Sequence, residues 1–524
     1  LTDDAFPVVI IGGGLAGLVA GVHLAERGIQ PLILEADSLW PGGRLSGGDP
    51  ETFTYAGKTW SFKPDHGVHA VWGGYVNLKS VIQQFTETQL VPSKGEVWIN
   101  RWGREVRRVE AGNVIRNSWL PAPFHYLQLL LRPTFWRTII PLDFLSLPGF
   151  LFSIFATLGF DPIKEQRSVE QLRLNDYFRG WTPNLRATFK GLAANLLAAP
   201  VNTISWSAFI AALRFYTVLR RDSWQMSFFP SDSHSSLIQP LIEAVEVRSG
   251  EVRYGCTAIR LEQNNGLWSI SVEDSAFGGQ KKVFAKHVII ATNAPAAQRL
   301  LEASPDLDTV VKDYSFPAAL RNVTVRIWFK STPNIESTSG MFTGDFLPDN
   351  FFWLHQMYDD YRLWHSETGG SAIEVHIYGA ASVLDMPDQN LLIECVTELQ
   401  RAHPELKDQF VYGTVRRNSK VHTEFRVPDE STPNVNPPIS NVHMCGDWIR
   451  YDTPALWMER STVTGIAAAN SILRAKGKTT FELLAPPPPG LFVQLLTLIA
   501  RLLRLVVTPI FWSLRTVSGM MRTT

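Results

Sequence analysis

Residues 8–21 read VVIIGGGLAGLVAG, and the order of residue types in that stretch decides the fold. Val8 to Ile11 is a short β-branched apolar run that reads as a buried strand, and Gly12-x-Gly14-x-x-Gly17 opens an Ala/Leu-rich helix that Gly28 closes. Gly12 permits a tight turn, Gly14 lets backbone approach a pyrophosphate, and Gly17 lets helix pack on strand; the helix N-terminus then offers unpaired N–H groups to the phosphates. A second apolar run, Pro31 to Leu34, ends in the carboxylate of Glu35, about 20 residues on, where an adenosine ribose presents its hydroxyls. The expectation is a dinucleotide site in an α/β, Rossmann-like domain.

Two further segments decide which dinucleotide. Gly42-Gly43-Arg44 follows shortly after Glu35, and Cys445-Gly446-Asp447-Trp448 precedes the helical stretch Trp457 to Asn470. In order and spacing these resemble the FAD-binding signatures of the flavin amine oxidase and carotenoid desaturase superfamily, and a soluble NAD dehydrogenase needs neither. The resemblance implies that Gly43 and Arg44 meet the pyrophosphate, that Gly446 and Asp447 meet the ribityl and phosphate region, and that Met458 and Glu459 open a helix aimed at the flavin. An arginine fork fits a phosphate, and a helix N-terminus stabilises negative charge on a reduced flavin. Ala291-Thr292, at the end of the apolar run His287 to Ala291, resembles the family's second flavin-side loop. Arg253 to Leu261, with Ala258 where the family usually has valine, resembles the strand whose backbone pairs with adenine.

The 524 residues carry 49 basic and 49 acidic side chains, so no nucleic-acid partner is expected. With 17 Trp and 30 Phe, large apolar ligands become plausible. Cys256, Cys395 and Cys445 are widely spaced and form no CxxC pattern, which argues against a disulfide framework or a metal site and for a reducing compartment. No basic leader with an apolar core is visible, so no secretory signal is expected.

The expected organisation is a discontinuous FAD-binding domain built from 1–80, 236–300 and 435–475, with 81–235 and 301–434 inserted as an α+β substrate domain. The first insertion reads as helical and oily. Phe144 to Phe160 carries no charge, but Pro148 and Gly149 interrupt it, which favours a buried or membrane-dipping mouth over a bilayer span. The second insertion alternates in Asn322 to Phe329 and in Ala372 to Tyr378, which is half-buried strand character and fits a sheet floor under the flavin. Residues 476–524 read as a proline-rich linker and an amphipathic tail. In Leu491 to Val507 the polar residues Gln494, Thr497, Arg501, Arg504 and Thr508 make one narrow stripe, Pro509 is expected to break the helix, and Arg515, Ser518 and Arg522 repeat the pattern. Four arginines without an acidic residue after 490 fit anionic lipid headgroups, with a partner protein's groove as the other reading.

Asp65-His66-Gly67-Val-His69 through Trp72, Tyr75, Asn77 and Leu78, and Trp457-Met458-Glu459-Arg460, are similar to segments of carotenoid β-ring desaturase/methyltransferases of the isorenieratene synthase type. The loop Ser231 to Ser236 departs from the family's glycine-rich pattern before the adenine strand. The resemblance implies hydride removal from a cyclic end group of a C40 polyene to the flavin, an allylic cation, methyl migration, and loss of a proton to leave an aromatic ring. His66, His69 and Glu459 are the candidate bases, Asp65 the orienter, and Gly67 part of a flavin-side loop. Trp72, Tyr75 and Trp457 are cation stabilisers or simply core. A linear carotene desaturase or isomerase, a protoporphyrinogen oxidase, and a flavoprotein subunit of a membrane complex stay open. Attachment is expected to be peripheral, on the cytoplasmic side of a membrane, with a quinone, oxygen or a complex partner taking the electrons.

Overall fold

The computed structural model of the chain describes residues 5–275 and 278–520, with side chains at all of these except 419–421 and 506–520. The strand Phe6–Ile11 lies at the centre of a parallel set ordered Glu251–Arg253, Pro31–Leu34, Phe6–Ile11, the end of Gly279–Ile290, and Val442–Met444. Their β-branched side chains are buried because helices cover both faces. Leu15–Glu26 and Trp457–Ala475 pack on each other over this sheet. Glycine makes the contact possible, since a β-carbon on Gly465 would stand 2.6 Å from the Ala16 carbonyl.

The adenine-side strand differs from the sequence expectation in being two strands. Gly255 takes φ +63° and turns the chain, so Glu251–Arg253 ends at the edge of the parallel set while Cys256–Asn264 begins an antiparallel meander with Leu267–Asp274 and Gly279–Ile290. Both strands stay on Glu35, which donates its N–H to the Arg253 carbonyl and accepts the Cys256 N–H at 2.8 Å each.

A second seven-stranded sheet runs Phe410–Thr423, Ala319–Phe329, Ser371–Ile377, Asn350–Trp353, Ser339–Gly344, Glu96–Trp102, Glu105–Glu110. The first insertion is therefore not only helical. Its hairpin 96–110 completes the sheet of the second insertion, with Glu96–Trp102 parallel to Ser339–Gly344.

Pro148 and Gly149 do not interrupt the oily helix. A 3₁₀ turn, Pro141–Ser146, leads into the helix Leu147–Gly159, and both residues sit in its first turn, where a missing N–H costs nothing. Its start is tied down by buried Asp143, which accepts from the Ile140 N–H at 2.9 Å, the Asn184 side chain at 2.6 Å, and Thr182. Arg214 holds its end by donating to the Thr157 and Leu158 carbonyls at 2.8 Å.

The tail is one helix, Leu491–Met520, and runs through Pro509, which deletes a single backbone donor without ending it. Arg522 lies outside the described residues. Residues 476–484 are not a free linker. Asn470 and Asn77 each exchange two hydrogen bonds with the backbone of Phe481 and Leu484, and Phe481 sits under the Arg27 guanidinium at 4.2 Å. The tail helix then docks on Leu147–Gly159 through Val493, Leu496 and Ala500. Gly159 lets the two helices approach closely, because a β-carbon would meet the Ala500 backbone at 3.0 Å and push it back. Of the arginines expected at lipid headgroups, the two with described side chains face acids of the protein: half-exposed Arg501 lies 3.7 Å from Asp161, and Arg504 pairs with Glu165 at 3.0 Å. Over its described side chains, 491–505, the helix is thus inverted, with part of its polar stripe on the protein and Leu491, Leu495, Leu498, Leu502 and Leu505 more than half exposed.

Candidate active site

The two sheets enclose one cavity of about 1010 Å3. It runs from Glu35 and Ala258 past Gly12, Gly14, Gly43, Arg44 and Ala291 to Gly446, Asp447 and Met458. From there it continues through His66, Gly67 and His69 to a wall of Asn350, His376 and Tyr378. The three glycines of the opening motif have separate tasks. Gly12 takes φ +108° with the Ala291 carbonyl 2.9 Å from where its β-carbon would be, and a β-carbon on Gly17 would sit 2.1 Å from the Gly12 carbonyl. Gly14 faces open space, with only one carbonyl within 4 Å of a β-carbon.

This lining fits a flavin dinucleotide. The helix Leu15–Glu26 starts with no side-chain cap and no acid in its first turn, so its N–H groups are left for an anion. Arg44 reaches across to Asp447 at 2.6 Å, which brings the GGR loop and the GDW strand end together as the motifs imply. Ser46 Oγ, His66 Nε2, His69 Nδ1 and Thr292 Oγ1 are buried polar atoms on this lining without a protein partner, and a polar ligand would satisfy them. At the other end Glu35 accepts the N–H groups of Gly13 at 2.7 Å and Asp37 at 2.8 Å, which fixes the carboxylate at the cavity's edge. Trp457 begins the helix aimed into the cavity with φ +51°, a strained conformation for an aromatic residue, and its indole N–H donates to the Leu196 carbonyl at 3.1 Å.

Burial drives His69 down to about 3, with the Arg44 charge adding to it, and burial also takes His66 well below the ordinary histidine value. Both imidazoles are neutral at pH 7. Asp65 does not orient either of them. It accepts the Ser233 N–H at 2.8 Å and the Tyr358 hydroxyl at 2.6 Å, and its carbonyl accepts from Arg326 at 2.9 Å. The Ser231 to Ser236 loop that departs from the family pattern is therefore pinned on Asp65. Burial pushes this carboxyl up to about 7 against the Tyr358 hydrogen bond.

Glu459 is turned away from the cavity. Its Oε1 accepts the Asn77 backbone N–H at 2.9 Å and side chain at 2.7 Å, and its Oε2 accepts the Leu78 N–H at 2.9 Å. It caps the helix Val76–Phe85, whose own N-cap Tyr75 supplies no side-chain acceptor. Neither a base nor a flavin contact is left to it. Glu459→Gln is therefore expected to keep turnover within about threefold while lowering the melting temperature, since one buried acceptor becomes a donor. A loss of turnover above about 100-fold at unchanged melting temperature would restore the catalytic role.

The sequence reading expected a sheet floor here but did not single out the polar residues it carries. In Ala372 to Tyr378, Ile373, Val375 and Ile377 enter the core, and Glu374, His376 and Tyr378 occupy the other face. That polar face is itself buried, with Glu374 fully inaccessible and Arg326 3% exposed. Glu374 accepts Arg326 Nε at 2.6 Å and the Val68 N–H at 2.7 Å. Trp72, Trp98, Tyr216, Trp224 and Phe352 make the apolar part of the same wall. Tyr75 also lines the cavity, its hydroxyl 2.7 Å from that of Tyr216.

A family model described as flavin containing amine oxidoreductase matches residues 15–473. A carotenoid phi-ring synthase of Streptomyces griseus is 25% identical over 507 residues, spanning 93% of this chain and 92% of that protein. A probable zeta-carotene desaturase of Synechococcus elongatus is 19% identical over 493 residues, spanning 90% and 99%. Among solved structures, the cyclohexylamine oxidase of Brevibacterium oxydans superposes with a TM-score of 0.63 at 16% identity, over 90% of this chain and 100% of that one. That last likeness is one of fold.

Proposed function

The chain belongs to the flavin-containing amine oxidoreductase family, and from that premise we propose that it aromatises a carotenoid β-ring, by desaturation with methyl migration, at a membrane surface. It is an FAD-dependent oxidoreductase of the carotenoid desaturase-like kind. The observation that carries the finer reading is the cavity, which does not stop at the cofactor residues but opens into a chamber walled by Trp72, Trp98, Tyr216, Trp224 and Phe352. Bound FAD supplies a two-electron hydride acceptor. Around it, Arg44 and the first turn of Leu15–Glu26 would hold the pyrophosphate, and the aromatic faces would stabilise positive charge on the ring. Relatives that act on a ring end and on a linear chain both match nearly the whole length, so the chamber is what favours the ring.

The inverted tail supports delivery from lipid. Leucines of Leu491–Met520 that a soluble helix would bury face outward, and the exposed apolar surface continues through Phe124, which meets Phe492 at 5.6 Å, to Trp136, Phe144 and Leu145. A face of this kind on an otherwise well-packed protein marks contact with an apolar phase. Peripheral attachment on the cytoplasmic side agrees with three buried, unpaired cysteines.

Two measurements test the reading. Flavin-loaded protein given a β-ring carotenoid in liposomes is expected to yield a product with an aromatic ring and an unchanged carbon count. An extended acyclic polyene or an oxidised porphyrin from the matching substrate, with the β-ring carotenoid untouched, would overturn it. Deleting 490–524 is expected to weaken sedimentation with liposomes strongly while flavin stays bound, and unchanged sedimentation would reject the tail as an anchor.

A further inference from the structure

We propose that Tyr378, His376 and Glu374 form a proton relay at the substrate end of the cavity, in which the Tyr378 hydroxyl takes the proton that a substrate carbon releases during desaturation. The proposal rests on the polyene reading above and names a base other than His66 and His69, Glu459 being held at Asn77 and Leu78.

The three residues alternate along Ser371–Ile377 and its next residue, so one strand face carries them all. Glu374 is the fixed end. Its Oε2 is held by Arg326 Nε at 2.6 Å, and its Oε1 accepts both the Val68 N–H at 2.7 Å and His376 Nε2 at 2.6 Å. An ionised carboxylate only accepts, so His376 must carry its proton on Nε2. That leaves Nδ1 as an acceptor, 2.9 Å from the Tyr378 hydroxyl. The phenol oxygen also receives the Asn350 side-chain N–H at 3.3 Å. Every hydrogen-bond direction in the chain is thereby set, and each step points from the cavity toward Glu374.

A purely structural network would close on itself inside the protein. This one ends at a wall: Asn350, His376 and Tyr378 all line the cavity that holds the cofactor residues. The imidazole also lies against Gly67 of the flavin-side loop, where a β-carbon would meet Cε1 and Nε2 at 3.3 Å. The relay therefore adjoins the loop of His66, Gly67 and His69 on the same cavity.

The step balances. Bound oxidised FAD would supply the acceptor for one substrate hydrogen and its two electrons, taken as hydride. The neighbouring C–H bond breaks and its electron pair becomes the new C=C bond. The proton released goes to the Tyr378 oxygen as the phenol's own proton passes to His376 Nδ1, and Glu374 neutralises the imidazolium. Tyr378 is then the catalytic residue, and His376 and Glu374 accept the proton and position it.

The test is an anaerobic single turnover with a β-ring carotenoid, quenched at intervals to follow formation of the desaturated product. Tyr378→Phe is expected to slow it at least about 100-fold, with flavin content and the spectrum of bound carotenoid unchanged. His376→Ala is expected to be equally slow and to regain rate with added imidazole, which a structural role would not produce. Wild-type rate in Tyr378→Phe would overturn the relay alone. Wild-type flavin that no β-ring carotenoid reduces would overturn the polyene reading, and the relay with it.

Discussion

Arg44→Ala is expected to yield a protein that purifies without its flavin. Arg44 is the only arginine of the GGR loop, and it stands on the cavity lining beside the uncapped first turn of Leu15–Glu26. A guanidinium contributes two charge-assisted hydrogen bonds to a pyrophosphate, each about 1.5–3 kcal/mol, so their loss weakens flavin binding by about 100- to 10,000-fold. The change has a second cost, because Asp447 loses the cation 2.6 Å away and a negative carboxylate then faces the phosphates. Arg44→Lys restores charge without the fork and should fall between the two. The measurement is the ratio of flavin to protein absorbance after gel filtration, with the rise in melting temperature on added FAD as a second readout. Wild-type flavin content in Arg44→Ala would remove Arg44 from the phosphate site.

What the sequence made legible here was local. Gly12, Gly14 and Gly17 shape one strand-turn-helix unit, so their spacing carried that turn even though Gly12 also packs on the distant Ala291, and Glu35 followed from the length of the helix between. The misreadings share a different cause, which is long range. Glu459 resembled a flavin-side base because it opens a helix aimed at the cavity, but the N–H groups it caps belong to Asn77 and Leu78, some 380 residues earlier. Arg504 resembled a lipid contact because no acid lies near it in sequence, and its partner Glu165 is 339 residues away. Alternation in Ala372 to Tyr378 told which residues share a face. It could not tell that the polar face is buried and lines a cavity rather than facing bulk water, because both give the same period of two.

That buried polar face gives the second large effect. Arg326→Met is expected to destabilise the protein by about 3–5 kcal/mol at pH 7, because it leaves Glu374 in the interior with its main counter-charge removed. Burial alone would raise the Glu374 carboxyl, yet Arg326 and His376 outweigh it and hold the group down to about 2. A carboxyl depressed from its ordinary 4.5 contributes stability above that pH and loses it as the pH falls toward 2, an amount of about 3 kcal/mol. Removing Arg326 removes the reason for the depression. The gap in melting temperature between wild type and Arg326→Met should therefore be widest near neutral pH and narrow as the pH falls below 4.5. Glu51, which also faces Arg326 at 3.3 Å, and the Asp65 carbonyl lose the same donor and add to the deficit. Replacing the partner as well, in Arg326→Met with Glu374→Leu, eliminates the uncompensated charge and should recover part of the stability, though His376 then loses its acceptor. Equal melting temperatures for wild type and Arg326→Met at pH 7 would mean that Glu374 is neutral in the folded protein, and the hydrogen-bond directions assigned to His376 would fall with it.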